Sequence, residues 1–284
     1  MNLLILGGDT RNLTLANYLK TAGYKLELLG LDQKADDDFT DTTLIESIKK
    51  ADYIIGPIPF STDGHTLHMP LSKITIKLKD LTNILSGNKV LIGGKIPIDI
   101  ADILTEKGIT VIDYLDRNEM SILNSIPTAE GAIQIALEEL PITLHGANAL
   151  VFGYGKCGKT LSQKLYALGC KTYVCARKSS DYALCEANYL YSYNYKNIDF
   201  VIGHMDVIFN TVPAKILNST RLAKLKPDCL VIDLSSMPGG CDFEFAAQKN
   251  IKIIHALSLP GKVAPKTAGN ILFKVIEHII EERS

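Results

Sequence analysis

Short apolar runs alternate with helical patterns along the first half of the chain. Apolar runs of up to five residues predict buried strands, and apolar residues at every third or fourth position predict helices. This alternation is typical of a parallel, doubly wound sheet. The predicted strands of this half are Asn2–Leu6, Lys25–Leu29, Tyr53–Gly56, Val90–Ile92 and Thr110–Ile112.

The second half repeats this pattern after one long helical stretch, Glu119–Leu140. We therefore expect an α/β fold with two doubly wound parallel-sheet (Rossmann-like) domains joined by a long helix. The last helix has a wide apolar stripe that needs a partner surface, so we expect it to return to the first domain. The predicted strands of the second domain are Asn148–Phe152, Lys171–Ala176, Val207–Asn210, Cys229–Asp233 and Lys252–Ile254.

The same elements predict where the domains begin and end. A Rossmann-like substrate domain is expected at residues 1–122, completed by the C-terminal helix at 265–284. The linking helix is expected at 123–140, with a cleft beside it, and a nucleotide-binding Rossmann domain at 141–264.

A complete G-x-G-x-x-G lies between a predicted strand and a predicted helix of the second domain. The first glycine allows the tight turn, the second lets the backbone approach a pyrophosphate, and the third lets the helix pack on the strand. The helix N-terminus then presents free N–H groups to phosphate charge. We interpret this loop as a dinucleotide-binding site formed by Gly153, Tyr154, Gly155, Lys156, Cys157 and Gly158.

The residues after the next strand indicate which dinucleotide binds. An NAD site usually has an acidic residue there, hydrogen-bonded to the ribose hydroxyls. This chain has Arg177, Lys178 and Ser179 instead, with no acid before Asp181. Since Arg can bind a phosphate with two hydrogen bonds and Lys adds a point charge, the pattern favours NADP. The alternative is that both cations are solvated and Ser179 caps the next helix.

Two later strands end at the same edge of the predicted sheet, on the cofactor side. Polar side chains at these ends can hydrogen-bond the nicotinamide ribose or carboxamide, and the alternative is ordinary capping of the loops. The predicted cofactor contacts here are Asn210, Thr211, Val212, Pro213, Ser235 and Ser236.

Composition and charge argue against several classes of function. The 284 residues are 46% hydrophobic and 21% charged, with a formal net charge of −1, as in ordinary globular proteins. Without a basic field, we expect no nucleic-acid partner. No apolar run approaches the roughly 20 residues of a membrane span, and the first residues do not resemble a signal peptide. We therefore expect no membrane association and a cytoplasmic protein.

Cysteine and histidine spacing offers little support for redox or metal chemistry. The six cysteines form no C-x-x-C pair, which favours reduced thiols over a disulfide framework. Cys157 lies at a helix N-terminus, where thiolate character can rise, but we favour a small packing residue there. His65 and His68 have the spacing of a metal pair, yet no third ligand is obvious, so no metal site is expected.

Substrate groups are expected in the first domain and on the linking helix. Ligands bind at the carboxyl ends of parallel strands, which indicates the loops Gly7–Arg11 and Gly56–His68. Lys266 begins the last helix, where the helix dipole disfavours a cation, and it either serves an anionic substrate or is solvated. Polar residues of the linking helix can face the cleft, although the last two can equally cap its first turn: Asn124, Ser125, Thr128 and Glu130.

Several runs occur in the order found in a known family. They are N-S-I-P-T-A-E-G at 124–131, the glycine loop at 153–158, S-M-P-G-G-C-D-F at 236–243 and L-P-G-K-V-A-P-K-T-A-G at 259–269. With the opening Gly7–Arg11 segment, the chain resembles the dipicolinate synthase A-type subunit family of endospore-forming bacteria over nearly its full length. One departure is Cys157, where members of that family often carry a small hydroxyl residue.

This resemblance implies a specific reaction and partner. The reaction is NADP-dependent oxidation of dihydrodipicolinate, derived from 4-hydroxytetrahydrodipicolinate, to pyridine-2,6-dicarboxylate in the mother-cell cytoplasm during sporulation. The implied partner is the flavoprotein-like B-type subunit of dipicolinate synthase, in a homo-oligomer or hetero-oligomer.

Two kinds of residue are needed for that chemistry. Because carboxylates are bound by cations and hydroxyls, we expect the substrate-binding residues to be Arg11, Ser61, Thr62, Arg117, Asn124, Ser125 and Lys266. Dehydration of the 4-hydroxy precursor would need a general acid, for which the candidates are Asp63, His65 and Glu130.

Two alternatives remain at this stage. One is an enzyme of the alanine dehydrogenase or 2-hydroxyacid dehydrogenase type, which needs a histidine with an acidic or lysine partner. After the glycine loop the second domain offers only His204 and His255, neither with a convincing partner. The other is a non-catalytic NADP-binding scaffold or sensor, which would bind the cofactor without turnover.

Overall fold

The computed structural model describes residues 1–32 and 40–283. The chain divides into two compact units, unit 1 with Met1–Ser121 and Ala264–Ser284, and unit 2 with Ile122–Val263. Ser284, the last residue of the predicted C-terminal helix, lies outside the described residues.

Unit 1 is built on a five-stranded parallel sheet. Its strands are β1 (Asn2–Leu6), β2 (Lys25–Leu29), β3 (Tyr53–Ile55), β4 (Val90–Gly93) and β5 (Thr110–Asp113). They lie in the order β2-β1-β3-β4-β5, so the direction of winding reverses between β1 and β3. Ligands of doubly wound sheets bind at the carboxyl ends of the strands beside such a switch point.

The helices of unit 1 cover this sheet, and they are α1 (Thr10–Thr21), α2 (Asp41–Lys50), α3 (Leu78–Ile84), α4 (Ile98–Glu106) and α11 (Pro265–Glu281). The C-terminal helix α11 packs closely on α1. A Cβ placed on Gly269 would lie 2.5 Å from Cβ of Thr14, and the rings of Tyr18 and Phe273 stack at 5.5 Å. The predicted return of the last helix to the first domain is therefore confirmed.

Unit 2 contains a six-stranded parallel sheet. Its strands are β6 (Asn148–Phe152), β7 (Lys171–Cys175), β8 (Tyr191–Tyr193), β9 (Val207–Asn210), β10 (Leu230–Asp233) and β11 (Ile253–His255). The order β11-β10-β9-β6-β7-β8 is that of a dinucleotide-binding Rossmann fold, with its switch point between β6 and β9. The predicted fold class is thus confirmed for both sheets.

The longest helix, α5 (Asn118–Glu139), runs from unit 1 into unit 2. Within unit 2 it packs beside α6 (Lys156–Ala167), where the hydroxyls of Ser125 and Thr160 lie 2.7 Å apart. Gly131 permits close approach to α10 (Leu259–Val263), since a Cβ there would lie 3.2 Å from Leu259. The remaining helices of unit 2 are α7 (Ser179–Ala187), α8 (Ser219–Leu222) and α9 (Phe243–Gln248).

Within the ranges 1–32 and 40–283, no helix is both long and apolar enough to cross a membrane. The same residues contain no group of three His, Cys, Asp or Glu side chains that could hold a metal ion. All six cysteines are free thiols, and all except Cys157 are buried.

Candidate functional site

The glycine loop joins β6 to α6 at the switch point of unit 2. Gly153 has a φ of +93°, which only glycine adopts without strain. A Cβ on Gly158 would lie 2.1 Å from the carbonyl oxygen of Gly153, whereas a Cβ on Gly155 would meet nothing within 4 Å. Glycine is therefore required at 153 by the backbone conformation and at 158 by close packing. The open space beside Gly155 is where a pyrophosphate would approach the backbone.

A cavity of about 480 Å³ lies over this loop. Its wall combines the first turn of α6, the end of β7 and the turn after β9, with Gly153, Tyr154, Gly155, Lys156, Lys159, Ala176, Arg177, Lys178, Asp181, Tyr195, Thr211, Val212 and Pro213 as lining residues. A second cavity of about 460 Å³ shares Arg177, Tyr195 and Val212 with it. Cavities of this size suit the parts of a dinucleotide, and the residues present therefore fit a nicotinamide cofactor.

Two cationic side chains lie in the connection between β7 and α7. Arg177, Lys178 and Ser179 are exposed, and Lys178 is the N-cap residue of α7 with no side-chain capping bond. Ser179 is the first residue of that helix, so the alternative in which Ser179 acts as the cap does not hold. Arg177 and Lys178 both line the 480 Å³ cavity, where Asp181 is the only carboxylate among the described lining residues.

Cys157 does not have the properties of a redox thiol. It is half-buried in the first turn of α6, and burial raises the pKa of its thiol to about 11. The thiol form therefore dominates at neutral pH, and a thiolate nucleophile is not supplied here.

Asn210 and Ser235, which were predicted to contact the cofactor, are not among the residues that line the 480 Å³ cavity. Asn210 is fully buried, and its amide nitrogen donates both to Val212 O at 3.1 Å and to Oδ1 of Asp233 at 2.9 Å. The hydroxyl of Ser235 donates to the same Oδ1 at 2.7 Å. These bonds argue against the predicted direct hydrogen bonding of the cofactor by the two side chains, because both already serve the adjoining turns. Thr211 lines the cavity but donates to Phe152 O, and Ser236 is exposed.

Arg11 occupies the switch point of unit 1. It is 8% exposed, and its Nε and Nη2 donate to Oδ1 and Oδ2 of Asp9 at 2.9 and 2.7 Å. Nη2 also donates to Ile58 O, which ties the turn after β1 to the loop after β3. Burial raises the pKa of the Asp9 carboxyl, but the hydrogen bonds and charge of Arg11 outweigh burial and lower the pKa below its usual value.

Asp63 organises its own loop and is a poor proton donor. The carboxylate accepts hydrogen bonds from the hydroxyls of Ser61 and Thr66 and from the backbone N–H groups of His65 and Thr66. These bonds, led by the Thr66 hydroxyl, lower the pKa of Asp63 far below its usual value. A carboxyl group with so low a pKa has no proton to donate near neutral pH, which argues against the predicted role of Asp63 as a general acid.

Three other residues of this loop were predicted to belong to the site: Ser61, Thr62 and His65. Ser61 both donates to Asp63 and accepts from the Gly64 N–H, each at 3.0 Å. Thr62 and His65 are exposed.

Arg117 forms ion pairs within unit 1. Its Nη1 and Nη2 donate to the two carboxylate oxygens of Glu282 at 2.8 and 2.6 Å, and its Nε donates to Glu119 at 2.6 Å. These bonds, led by those with Glu282, raise the pKa of Arg117. Because its donors already meet two carboxylates, a substrate would have to displace these ion pairs, which argues against the predicted use of Arg117 in substrate binding.

Two predicted site residues of helix α5 have partners within unit 2. Ser125 is 4% exposed, and its hydroxyl donates to Ile122 O at 2.6 Å. Glu130 is exposed and pairs with Lys164 at 2.8 Å, beside the last turn of α6 rather than its glycine-loop end. These contacts argue against the predicted roles of Ser125 in substrate binding and of Glu130 in acid catalysis. Asn124 differs, since its Oδ1 is buried with no partner among the described residues, while Lys266 is exposed at the start of α11.

A full-length relative supports the resemblance in sequence. The A-type subunit of dipicolinate synthase from Bacillus subtilis strain 168 is 32% identical over an aligned length of 287 positions, and the match covers 99% of this chain and 96% of that protein. The chain belongs to the dipicolinate synthase A-type subunit family. The family model for the N-terminal domain of this subunit matches residues 2–115.

Crystal structures of the A-type subunit of dipicolinate synthase have the same fold. The protein from Bacillus halodurans has a TM-score of 0.88 at 31% identity, covering 98% of this chain and 97% of that chain. The protein from Bacillus subtilis has a TM-score of 0.89 at 31% identity, covering 99% and 96%. The expected family and fold are confirmed.

A second family model, the NAD-binding domain of D-isomer specific 2-hydroxyacid dehydrogenases, matches residues 127–236. This range contains the glycine loop and the 480 Å³ cavity. The chain is thus an NAD(P)-dependent oxidoreductase-like member of the dipicolinate synthase A-type subunit family, with a nicotinamide cofactor as its ligand in unit 2.

Three polar residues of this family member were missed in the sequence. His68 is half-buried and interacts electrostatically with Asp9 and Arg11, and burial lowers its pKa although Asp9 opposes the shift. Tyr114 is fully buried, and its hydroxyl has no partner within the described residues. Asp233 is a fully buried carboxylate. The H-x-x-H spacing was a signal for His68, but it was considered only as a metal motif.

Proposed function

We propose that this protein oxidises dihydrodipicolinate to pyridine-2,6-dicarboxylate with NADP. The observation that carries the cofactor assignment is the wall of the 480 Å³ cavity, where Arg177 and Lys178 stand at the end of β7 in place of an acidic residue. Two cations suit a 2′-phosphate, whereas a carboxylate suits the free ribose hydroxyls of NAD. Family membership supports the substrate.

The reaction removes one hydride and one proton from the dihydropyridine ring. A bound nicotinamide cofactor would supply the hydride acceptor, and the product gains aromatic stability. The protein must therefore hold the two carboxylates, exclude water and accept the proton.

In unit 1 the proposed carboxylate-binding residues are Arg11, Thr62, Lys266 and Ser61, whose hydroxyl would have to turn from Asp63 to the ligand. Arg11 offers the strongest support, because its guanidinium is fixed by Asp9 and Ile58 at a switch point. Its Nη1 has no acceptor among the described residues. In unit 2, the unpartnered Oδ1 of Asn124 supports a ligand-binding role for that amide.

His68 is the proposed proton acceptor in place of Asp63 and Glu130. Its backbone is fixed by hydrogen bonds to Gly8 and Phe60, both at 3.0 Å. Because burial lowers its pKa, the imidazole is neutral at pH 7 and can take a proton. His65 lies in the same loop but is exposed, and it provides a matched comparison.

A second protein is part of the proposal. The Bacillus subtilis relative is named as one subunit of dipicolinate synthase, and we infer that this chain works with the flavoprotein-like B-type subunit in the mother cell during sporulation. Whether the chain assembles as a homo-oligomer or a hetero-oligomer is tested by measuring the mass of the purified protein with and without that partner.

The test supplies the purified chain with NADP, dihydrodipicolinate synthase and its substrates, with and without the B-type subunit. Pyridine-2,6-dicarboxylate and NADPH are expected to appear together. Cofactor binding without turnover, even with the partner present, would favour a scaffold or sensor. Turnover of a 2-hydroxyacid, but not of dihydrodipicolinate, would favour the dehydrogenase indicated by the match at residues 127–236.

A further inference from the structure

Asp233 is a buried carboxylate at the end of β10 with no cation beside it in the described part of the chain. It is fully buried, and both of its oxygens accept hydrogen bonds. Oδ1 accepts from the Asn210 amide at 2.9 Å, the Ser235 N–H at 3.0 Å and the Ser235 hydroxyl at 2.7 Å. Oδ2 accepts from the Gly240 N–H at 2.7 Å. A buried polar group is costly unless it is hydrogen-bonded, and the bonds of Asp233 connect it to segments on both sides of β10.

On one side, the network leads to the cofactor cavity. The Asn210 amide that donates to Asp233 also donates to Val212 O, and its Oδ1 accepts from the Val212 N–H. Val212 and the adjacent Thr211 line the cavity. A Cβ on Gly153 of the glycine loop would lie 2.5 Å from Thr211 Oγ1 and 2.8 Å from Val212. The position of the turn after β9 therefore depends on Asp233 through one intervening side chain.

On the other side, the network fixes the loop after β10. Ser235 is bound to Asp233 by both its backbone N–H and its hydroxyl, and its carbonyl oxygen lies 2.8 Å from Nε2 of His255. A Cβ on Gly240 would lie 2.1 Å from the Asn210 amide nitrogen and 2.6 Å from Val212 O. The two loops are therefore in direct contact, with Asp233 bonded to both.

We propose that Asp233 is a positioning residue for the cofactor, which presets the turn at 211–213 and the loop at 234–240 without touching the ligand. These segments follow β9 and β10, on the side of the sheet that receives the nicotinamide half of a dinucleotide in this fold. The adenosine half is expected at Arg177 and Lys178. The inference rests on the proposed function only in that the ligand is a nicotinamide dinucleotide.

Asp233→Asn is the direct test. Ser235 and Gly240 present backbone N–H groups to opposite oxygens of Asp233, so an amide must direct its own NH₂ at one of them in either orientation. A buried donor then loses its acceptor, which costs stability, and the turn at 211–213 and the loop at 234–240 are expected to shift from their preset positions. We expect the Kd for NADPH to rise at least about tenfold, while the Kd for 2′,5′-ADP, which lacks the nicotinamide half, changes less than about threefold.

The matched control is Asp206→Asn in the same unit. Asp206 accepts from the Asn148 N–H at 2.6 Å and pairs with Lys226 just before β9, at the amino edge of the sheet. The Asp206→Asn variant should leave both dissociation constants unchanged even where it lowers Tm. Equal losses for NADPH and 2′,5′-ADP in Asp233→Asn, or no loss of NADPH affinity, would overturn the proposal.

A second variant covers the case in which Asp233→Asn does not fold. Asn210→Ser retains the carboxylate but cuts its connection to Val212, and it should weaken NADPH binding more than 2′,5′-ADP binding. An unchanged ratio of the two dissociation constants would contradict the role of Asp233. If the wild type prefers NADH, the same comparison is made with NADH and ADP, so a wrong cofactor assignment leaves the test intact.

Discussion

Arg11 and Asp9 form a two-pronged ion pair at the end of β1, with Nε and Nη2 of the arginine 2.9 and 2.7 Å from the two carboxylate oxygens. The pair is largely buried, with side-chain exposures of 10% and 25%. Asp9 therefore fixes the orientation of the guanidinium before any ligand arrives, and this rigidity is what a carboxylate-binding arginine requires.

Arg11→Lys is expected to raise the KM for dihydrodipicolinate by about tenfold or more, because lysine cannot keep the fork to Asp9 and also bind a substrate carboxylate. The Kd for NADPH should stay constant, and Tm reports the structural cost of losing the bond to Ile58. Arg117→Lys is the matched control, since Arg117 binds Glu282 and Glu119 instead. Equal effects of both variants on KM would contradict the assignment.

His68→Asn is expected to remove the acidic limb of the pH–rate profile. In the wild type, kcat/KM should fall as pH drops through the pKa of His68, which burial places below its usual 6.5, because the protonated ring cannot accept a proton. The variant should also lose about 10²-fold or more in rate. His65→Asn should retain both the rate and the limb, and an unchanged limb in His68→Asn would rule out His68.

The same pKa shift has a consequence for stability. Below pH 6.5 the unfolded chain binds a proton at His68 that the folded chain resists, so the free energy of unfolding should decrease as pH falls through that range. The decrease should be smaller in His68→Asn when measured by urea unfolding at several pH values.

Glu282→Gln is expected to lower Tm without changing KM for the substrate, because the fork from Arg117 connects the end of α11 to the start of α5 within unit 1. Added salt should reduce the difference in Tm between variant and wild type, since salt screens the exposed ion pair. A changed KM with an unchanged Tm would restore Arg117 as a substrate-binding residue.

Local sequence patterns were sufficient to predict the features that depend on residues close together in the chain. The glycine loop is such a case, because the spacing of Gly153, Gly155 and Gly158 is dictated by one turn and one helix start. The wide apolar stripe of α11 similarly required a partner. The edge strand Tyr191–Tyr193 was missed because three residues, of which none is fully buried, give no apolar run.

Side-chain partners distant in sequence could not be predicted. Arg117 binds Glu282 across 165 positions, and no local pattern separates such an arginine from one that binds a ligand. Asn210 ends a strand in which every residue is buried, so its polar character suggested a ligand contact. Its partner Asp233 becomes apparent only when β9 and β10 are aligned in the sheet.

The central claim concerns NADP-dependent oxidation, and Arg177→Asp tests it most directly when product and reduced cofactor are recorded together. Lys171→Asp, at the exposed opposite end of β7, is the matched control. The wild type and the control should form pyridine-2,6-dicarboxylate and NADPH in equal amounts. Arg177→Asp should lose about tenfold or more in kcat/KM for NADP while retaining its rate with NAD. Equal rates of wild type and Arg177→Asp with NADP, or cofactor reduction without the pyridine product, would contradict the account.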